Sequence, residues 1–367
     1  MSDSIFAYRC DTRAAHHIVA QIRMQQGGKL VGQGTYGCVF SPPLACKSKH
    51  VKKLPNSLGK ISEYSDVKNE IQAAKDLRGV YGSEYFILPD PASLCVPAPM
   101  AQQSEPDLSN CQAIERRGTK NMVHYQMRFG GLPIRVVLRK SNKYSFYTFM
   151  TQLVEIGAIL VLNGYVHGDF HMNNVLMLEN HRPRLIDFGR SFSIKTLTRE
   201  VIDGGWTEYS PGFSYESPDM SLIISTHEQV PLAQCVRDMR AEKSSMINLE
   251  RVLGVNREKQ LIELLEFWET SKAATTSDWL SYWTMYWYTF DAWAIGAILI
   301  ELLRIRLLSK DFDSEWSKRQ EVIEAVIKGL LHSSPRLRLD CIEALALINP
   351  MHPIVKRGKD WLKSRRA

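Results

Sequence analysis

Asp169 and Asn174 stand five residues apart in the run His167-Gly-Asp-Phe-His171-Met-Asn-Asn174. A carboxylate in a loop can orient or deprotonate a hydroxyl, and a side-chain amide oxygen can ligate a hard cation. A further carboxylate follows 18 residues after Asp169 in Leu185-Ile-Asp187-Phe188-Gly189, where an apolar strand delivers an acid ahead of a flexible glycine. That interval suits a strand-turn-strand able to bring both acids to one site. Upstream, Gly32-Gln-Gly-Thr-Tyr-Gly37-Cys-Val39 is a G-x-G-x-x-G-x-V run, whose glycines would let backbone N–H groups approach phosphates. Cys38-Val-Phe and then Pro42-Pro43 follow, which suits a hairpin and not the helix that a dinucleotide fingerprint opens. His167 and His171 are four apart, but Gly168 stands where an H-E-x-x-H metalloprotease needs Glu, and it would break the helix.

These residues need elements to hold them. Residues 5–26 are mixed and read as a helix. Lys29 to Val31 and Cys38 to Phe40 read as strands about the Gly-rich turn, and Leu58 to Ile61 as a third strand. Ser65-Asp66 is a helix N-cap signal, with helical character to about Leu77. Residues 88–119 are rich in Pro, Ser and Gln and read as a long surface loop. Asn121 to Phe129 is a strand candidate, punctuated by Gly130-Gly131. Helical patterns then dominate: Tyr144 to Leu162, a mixed stretch over 222–288 containing Trp268, Trp279, Trp283 and Trp287, and runs at 291–305, 317–331 and 340–348. No internal repeat is visible.

The 367 residues are 44% hydrophobic and 23% charged, which excludes disorder, collagen and coiled coil and leaves room for two lobes. The net charge of +7 is dispersed and marks no specific nucleic-acid site. A basic run from Lys356 to Arg366 reads as a solvated tail. Seven cysteines at irregular spacing argue against a disulfide framework and for a reducing compartment. With no C-x-x-C pair, a cysteine-based metal site is not expected either. The first thirty residues hold no stretch of signal-peptide length, and Met1-Ser2 lacks the Gly of a myristoylation site. Trp283 to Leu303 is long enough to span a bilayer, but Asp291 in its middle makes it a buried core helix.

The ordered series G-x-G-x-x-G, H-x-D-x-x-x-x-N, D-F-G resembles the signature of eukaryotic-type protein kinases. The run at 32–47 in particular resembles the serine/threonine kinases of nucleocytoplasmic large DNA viruses. The resemblance covers roughly residues 29–348, in patches. Asp291-Ala-Trp293-Ala-Ile-Gly296 is similar to the D-x-W-x-x-G that opens the buried central helix of the kinase C-lobe, whose Asp takes hydrogen bonds from catalytic-loop backbone. Pro335-Arg-Leu-Arg338 resembles the element whose Arg pairs with the Glu of A-P-E. Ser217-Pro218-Asp219 is the counterpart here, so the resemblance implies a buried Asp219–Arg338 ion pair.

The implied fold is α+β, a bilobal protein-kinase-like fold with a β-rich N-lobe, a helical C-lobe and an ATP cleft between them. The implied boundaries are an N-terminal extension at 1–28, an N-lobe at 29–131, a C-lobe at 132–348 and a basic tail at 349–367. A helical insertion occupies about 222–288, beside the substrate-docking face or packed on the C-lobe. The implied activity is ATP-dependent phosphoryl transfer to Ser/Thr hydroxyls of proteins. Gly32, Gln33, Gly34, Thr35, Tyr36 and Gly37 would cover the ATP phosphates. Val39 and Leu176 would flank adenine, with Met127 as gatekeeper and Phe129 in the hinge. Asp169 would position the substrate hydroxyl and accept its proton. Asn174 and Asp187 would hold Mg²⁺. Lys60 would pair with the phosphates and Glu70 would be its helix partner, with Lys53 and Glu63 as alternatives.

Three departures qualify the likeness. Gly168 replaces the usual Arg of H-R-D, which implies activity without activation-loop phosphorylation. His171 replaces the usual Lys and could still touch the γ-phosphate. H-G-D-x-H-x-x-N also resembles small-molecule kinases of the aminoglycoside and choline type, so a small-molecule hydroxyl kinase is one alternative and a pseudokinase scaffold another. The activation segment, from Asp187 to about Asp219, offers Ser191, Thr196, Thr198, Thr207, Ser210 and Ser214 for modification. The expected setting is the host-cell cytoplasm, with packaging in a virion left open.

Overall fold

The computed structural model describes residues 28–33, 37–48, 51, 54–99, 102–103, 110–117, 121–140, 144–178 and 181–366. The expected helix at 5–26, the loop residues Gly34, Thr35 and Tyr36, and Lys53 lie outside them. The chain is α+β, with strands early and helices later. It divides into two units, one of Met1–Val136 with Leu176–Leu178 and Arg184–Gly189, the other of the remainder.

The first unit is built on a five-stranded antiparallel sheet, β1 (Lys29–Gln33), β2 (Gly37–Ser41), β3 (Ser57–Glu63), β4 (Asp90–Cys95) and β5 (Met122–Arg128), in spatial order β1-β2-β3-β5-β4. Its register decides which side chains share a face, because directly opposed residues point the same way. Val39 opposes Lys60, which opposes Tyr125, so these three share one face. Cys38 opposes Ile61, which opposes His124, and these share the other. Helix α1 (Tyr64–Leu77) follows β3 directly and buries Val67, Glu70, Ala73, Ala74 and Leu77, an apolar stripe at helical spacing with one acid in it. On the sheet face bearing Cys38, a cluster of Phe40, Leu44, Ile61, Ala113 and Met122 is closed by the Cys38–Cys111 disulfide.

Residues 88–119, read as a loop, contain β4 and helix α2 (Gln112–Arg117). The Pro and Ser content hid the strand because β4 is an edge, where Pro91 is tolerated. The cysteine expectation is also corrected. Cys38 pairs with Cys111 and Cys46 with Cys95, across separations of 73 and 49 residues. Irregular spacing says little when the partners are brought together by contacts between segments far apart in the chain. Cys235 and Cys341 are free and buried.

The second unit is helical. Helix α3 (Phe146–Leu162) starts at Ser145, whose Oγ accepts from Thr148 N at 3.1 Å, and Glu315 takes two further N–H groups of that first turn, from Phe146 and Tyr147. Helices α4 (Pro218–His227), α5 (Leu232–Glu242), α6 (Ser244–Leu253), α7 (Arg257–Thr270) and α8 (Trp279–Tyr286) follow, in line with the helical character expected over 222–288, and bury residues such as Cys235, Met246, Leu264 and Tyr282. The Trp283–Leu303 run is broken into α8 and α9 (Phe290–Arg306), and α9 is buried on nearly every side. Among the described residues no helix is long and apolar enough to cross a membrane. Helices α10 (Asp313–Leu330) and α11 (Cys341–Ile348) follow, then α12 (Pro353–Arg357) and α13 (Lys359–Arg366). The basic tail is therefore folded and anchored. Trp361 Nε1 donates to Asp340 Oδ2 at 2.7 Å, and the Arg365 guanidinium lies 4.2 Å from the Tyr288 ring centre. Lys356 and Lys363 remain exposed, so the charge pattern showed the outer face and missed the anchor.

Candidate active site

In the sheet-bearing unit the ionisable residues converge on Lys60. Strand β3 presents it on the face shared with Tyr125, and α1 brings Glu70 to the same face. Lys60 Nζ lies 2.7 Å from Glu70 Oε1 and 2.9 Å from Asp187 Oδ1. Tyr125 Oη donates to Glu70 Oε2. Burial works to discharge Lys60, but Asp187 and Glu70 outweigh it and hold the ammonium well above its ordinary pKa. Burial raises the Glu70 carboxyl, with Lys60 pulling the other way. Burial and the Glu70 charge also push the Tyr125 phenol well up, so it stays a donor.

The segment carrying Asp187 is fixed within the same unit. Ile87 N donates to Leu185 O at 2.9 Å, Phe188 packs edge-on against Phe86, and Asn69 Nδ2 donates to Gly189 O at 2.9 Å. Asp187 itself is left-handed, with φ 66°. A non-glycine residue holds such a conformation only where its surroundings over-determine it, and aspartate is among the few that tolerate it. Gly189, expected to supply flexibility, has no positive φ, and a Cβ there would meet only ordinary contacts at 3.7 Å.

Gly32 and Gln33 end β1 and Gly37 opens β2. A Cβ on Gly37 would stand 2.2 Å from Ile61 O, so the adjacent strand already demands glycine there. Met127 opposes Leu58, and Phe129 N donates to Asn56 O at 3.1 Å. Leu176 is held opposite Pro133 and beside Gly130, where an added Cβ would come within 2.9 Å of Leu176 Cδ1.

In the helical unit the geometry centres on Asp169. Asp291, at the start of α9, accepts from His167 N at 2.6 Å and Gly168 N at 3.1 Å. Burial raises the Asp291 carboxyl against those two bonds and the His167 charge. Gly168 has φ 73°, and a Cβ there would lie 2.9 Å from Arg190 O. Glycine at position 168 is thus a conformational requirement of this loop. Asp169 N donates to His167 Nδ1 at 3.3 Å, and Asn174 Nδ2 donates to Asp169 O at 2.9 Å and Oδ2 at 3.1 Å. His171 Nε2 lies 3.6 Å from Asp169 Oδ1. Burial opposes the Asp169 charge, but the neighbouring His171 imidazole and the charges of His167 and Arg190 prevail, and its carboxyl sits below the ordinary aspartate range. It is a carboxylate at neutral pH, able to orient a hydroxyl and take its proton. Asn174 commits Nδ2 to Asp169, which turns its oxygen over to other partners.

Beyond this loop, Arg338 Nη2 donates to Asp219 Oδ1 at 2.6 Å, and Tyr282 Oη donates to Asp219 Oδ2 at 3.0 Å. Two positioning residues escaped the sequence reading. Arg190 donates to Gly205 O at 2.9 Å, and Lys243, fully buried, donates to Phe213 O and Glu216 O at 2.9 Å each. Burial pulls the Lys243 pKa down to about 8. No periodicity separates Lys243 from its exposed neighbours, and Tyr125 becomes recognisable only from its register opposite Lys60.

No family model matches the chain, and no curated protein matches it.

Proposed function

We propose that the protein transfers the γ-phosphoryl group of ATP to Ser or Thr hydroxyls of protein substrates, on a protein-kinase-like fold. The observation that carries this reading is the double pairing of Lys60 with Glu70 and Asp187. Phosphoryl transfer by a protein kinase needs a strand lysine held by a helix glutamate, together with a metal-binding aspartate in place. The sequence separations here, 10 and 127 residues, make such a convergence hard to obtain by accident.

In this reading Lys60 bonds phosphate oxygens and Glu70 fixes its position, with Tyr125 fixing Glu70. Gly32, Gln33, Gly34, Thr35, Tyr36 and Gly37 cover the phosphates. Val39, Met127, Phe129 and Leu176 line the adenine. Asp169, a charged carboxylate, orients the acceptor hydroxyl and takes its proton, with His171 beside it. Asn174 and Asp187 offer an amide and a carboxylate oxygen, the hard donor set that suits Mg²⁺. Bound Mg²⁺ would neutralise charge on the ATP phosphates. The setting proposed with this activity, a host-cell cytoplasm, comes from the resemblance alone, since the two disulfides are unusual in a reducing compartment; the partners proposed are protein substrates, with no specific nucleic-acid site and no membrane.

The test offers labelled ATP and Mg²⁺ with basic and acidic proteins beside an aminoglycoside and choline. Label on protein Ser or Thr supports the reading. Label on a small molecule alone replaces it with the small-molecule kinase, and no label on any acceptor replaces it with a scaffold.

A further inference from the structure

Cys46, Cys95 and His124 meet on the sheet face opposite to Lys60. Cys95 opposes His124 in the β4–β5 register, and His124 Nδ1 lies 3.6 Å from Cys95 Sγ and 4.0 Å from Cys46 Sγ. His124 is fully buried while both cysteines are half-buried. The imidazole cannot swing away freely. It crosses β3 at Gly59, where a Cβ would stand 2.2 Å from Nε2. The Cys38–Cys111 disulfide offers a contrast, being fully buried, and among the described residues no histidine joins it in a metal-ligating group.

We infer that, once the Cys46–Cys95 disulfide is reduced, the two thiolates and His124 Nδ1 bind a zinc ion. Two thiolates and one imidazole are a familiar soft-to-borderline donor set for zinc. Tetrahedral bond lengths place sulfur and nitrogen about 3.6 Å apart and the two sulfurs about 3.8 Å apart. The Cys95–His124 separation already fits at 3.6 Å, while Cys46, at 4.0 Å from Nδ1, must approach the imidazole as the two sulfurs part.

The surroundings keep the trio together without the disulfide. Lys47 N donates to Val96 O at 2.9 Å and Ala98 N to Ala45 O at 2.8 Å. Gln103 clamps the same two segments, accepting from Ala45 N at 2.8 Å and donating to Ala45 O and Ala98 O at 3.1 and 2.9 Å. The chain around Cys46 therefore stays beside Cys95 when the sulfur–sulfur bond is cut. In the reduction step two molecules of a thiol reductant supply two electrons and two protons. The sulfur–sulfur bond breaks, each cysteine becomes a thiol, and the reductant leaves as its own disulfide. Zinc then displaces both thiol protons to solvent and forms two bonds to sulfur and one to Nδ1, leaving its fourth position to water. The two cysteines would thus link the chain around Cys46 to β4 in either redox state, with His124 joining them when zinc is bound. This inference does not rest on the activity proposed above.

The test uses the full chain, air-oxidised or reduced with a phosphine, which does not compete for the metal. Each sample is incubated with zinc chloride, desalted anaerobically and analysed for zinc. The reduced protein should retain about one zinc per chain and the oxidised protein none. No zinc in the reduced protein, or equal zinc in both samples, overturns the proposal. The Cys46→Ser/Cys95→Ser variant should lose the metal, and retention would equally overturn it. Titration with Co²⁺ should give a thiolate-to-metal charge-transfer band in the reduced wild type. His124→Gln should shift or abolish that band, and an unchanged band would remove His124 from the site.

Discussion

Arg338 and Asp219, 119 residues apart, form an ion pair in which both side chains are wholly buried. The guanidinium also donates through Nε to His332 O, through Nη2 to Ser333 O and through Nη1 to Thr289 O and Oγ1, so each of its nitrogens has a partner, and it lies 5.2 Å from the Trp293 ring centre. Removing one partner strands the other charge away from water. Arg338→Met should therefore destabilise the protein by roughly 3–5 kcal/mol. The check is a urea unfolding curve, which should keep its slope and move its midpoint down. An unchanged midpoint would mean that the pair contributes nothing.

Gly168 is held left-handed against Arg190 O. Both Gly168→Ala and Gly168→Arg should cost roughly 1–3 kcal/mol, with loss of phosphoryl transfer as the loop shifts Asp169. An arginine here would match the H-R-D of the protein kinases that the proposed function invokes. Higher activity in Gly168→Arg would show that the loop tolerates a side chain and that the glycine is not conformational.

Lys60→Met tests the double pairing. It should abolish transfer while leaving Glu70 bonded to Tyr125. Tyr125→Phe removes one bond to Glu70 and leaves Lys60 in place, so it should weaken transfer less than Lys60→Met does. Equal losses in the two variants would mean that Tyr125 acts on the fold as a whole.

Asp340 gives a pH signature. Burial and the neighbouring Glu343 charge raise its pKa from 3.8 to about 6, while it caps α11 by accepting from Ile342 N and Glu343 N. The folded state thus binds more protons than the unfolded state between about pH 4 and 6, and this group's contribution to stability falls as pH rises through that window. Asp340→Asn keeps a good cap and removes the titration. The stability gap between wild type and Asp340→Asn should change by up to about 3 kcal/mol across the window and be level above it. Parallel curves from pH 4 to 8 would contradict the assignment.

How much of this was legible in the sequence follows from what each residue depends on. Asp169, Asn174 and Asp187 stood out because their chemistry requires particular residue types at particular spacing. Helix α3 and the buried α9 stood out because their apolar content exceeds any surface pattern. The pairing of Lys60 with Glu70 follows once β3 runs straight into α1. Strand β4, helix α2 and both disulfides were illegible because each depends on a partner far along the chain. The anchoring of Trp361 and Arg365 was hidden by the charge around them. The reason for Gly168 was hidden too, since it lies in the carbonyl of a residue 22 positions away.

The most direct measurement compares wild type with Asp169→Asn in a single turnover, following labelled γ-phosphate from Mg-ATP to a protein acceptor with nucleotide binding measured on the same samples. Asn keeps the size of the side chain and cannot take the hydroxyl proton. The account predicts near-equal nucleotide binding and a transfer rate lower by about 10²–10⁴-fold in the variant. Equal transfer by Asp169→Asn, or no transfer by a wild type that binds Mg-ATP, would contradict it.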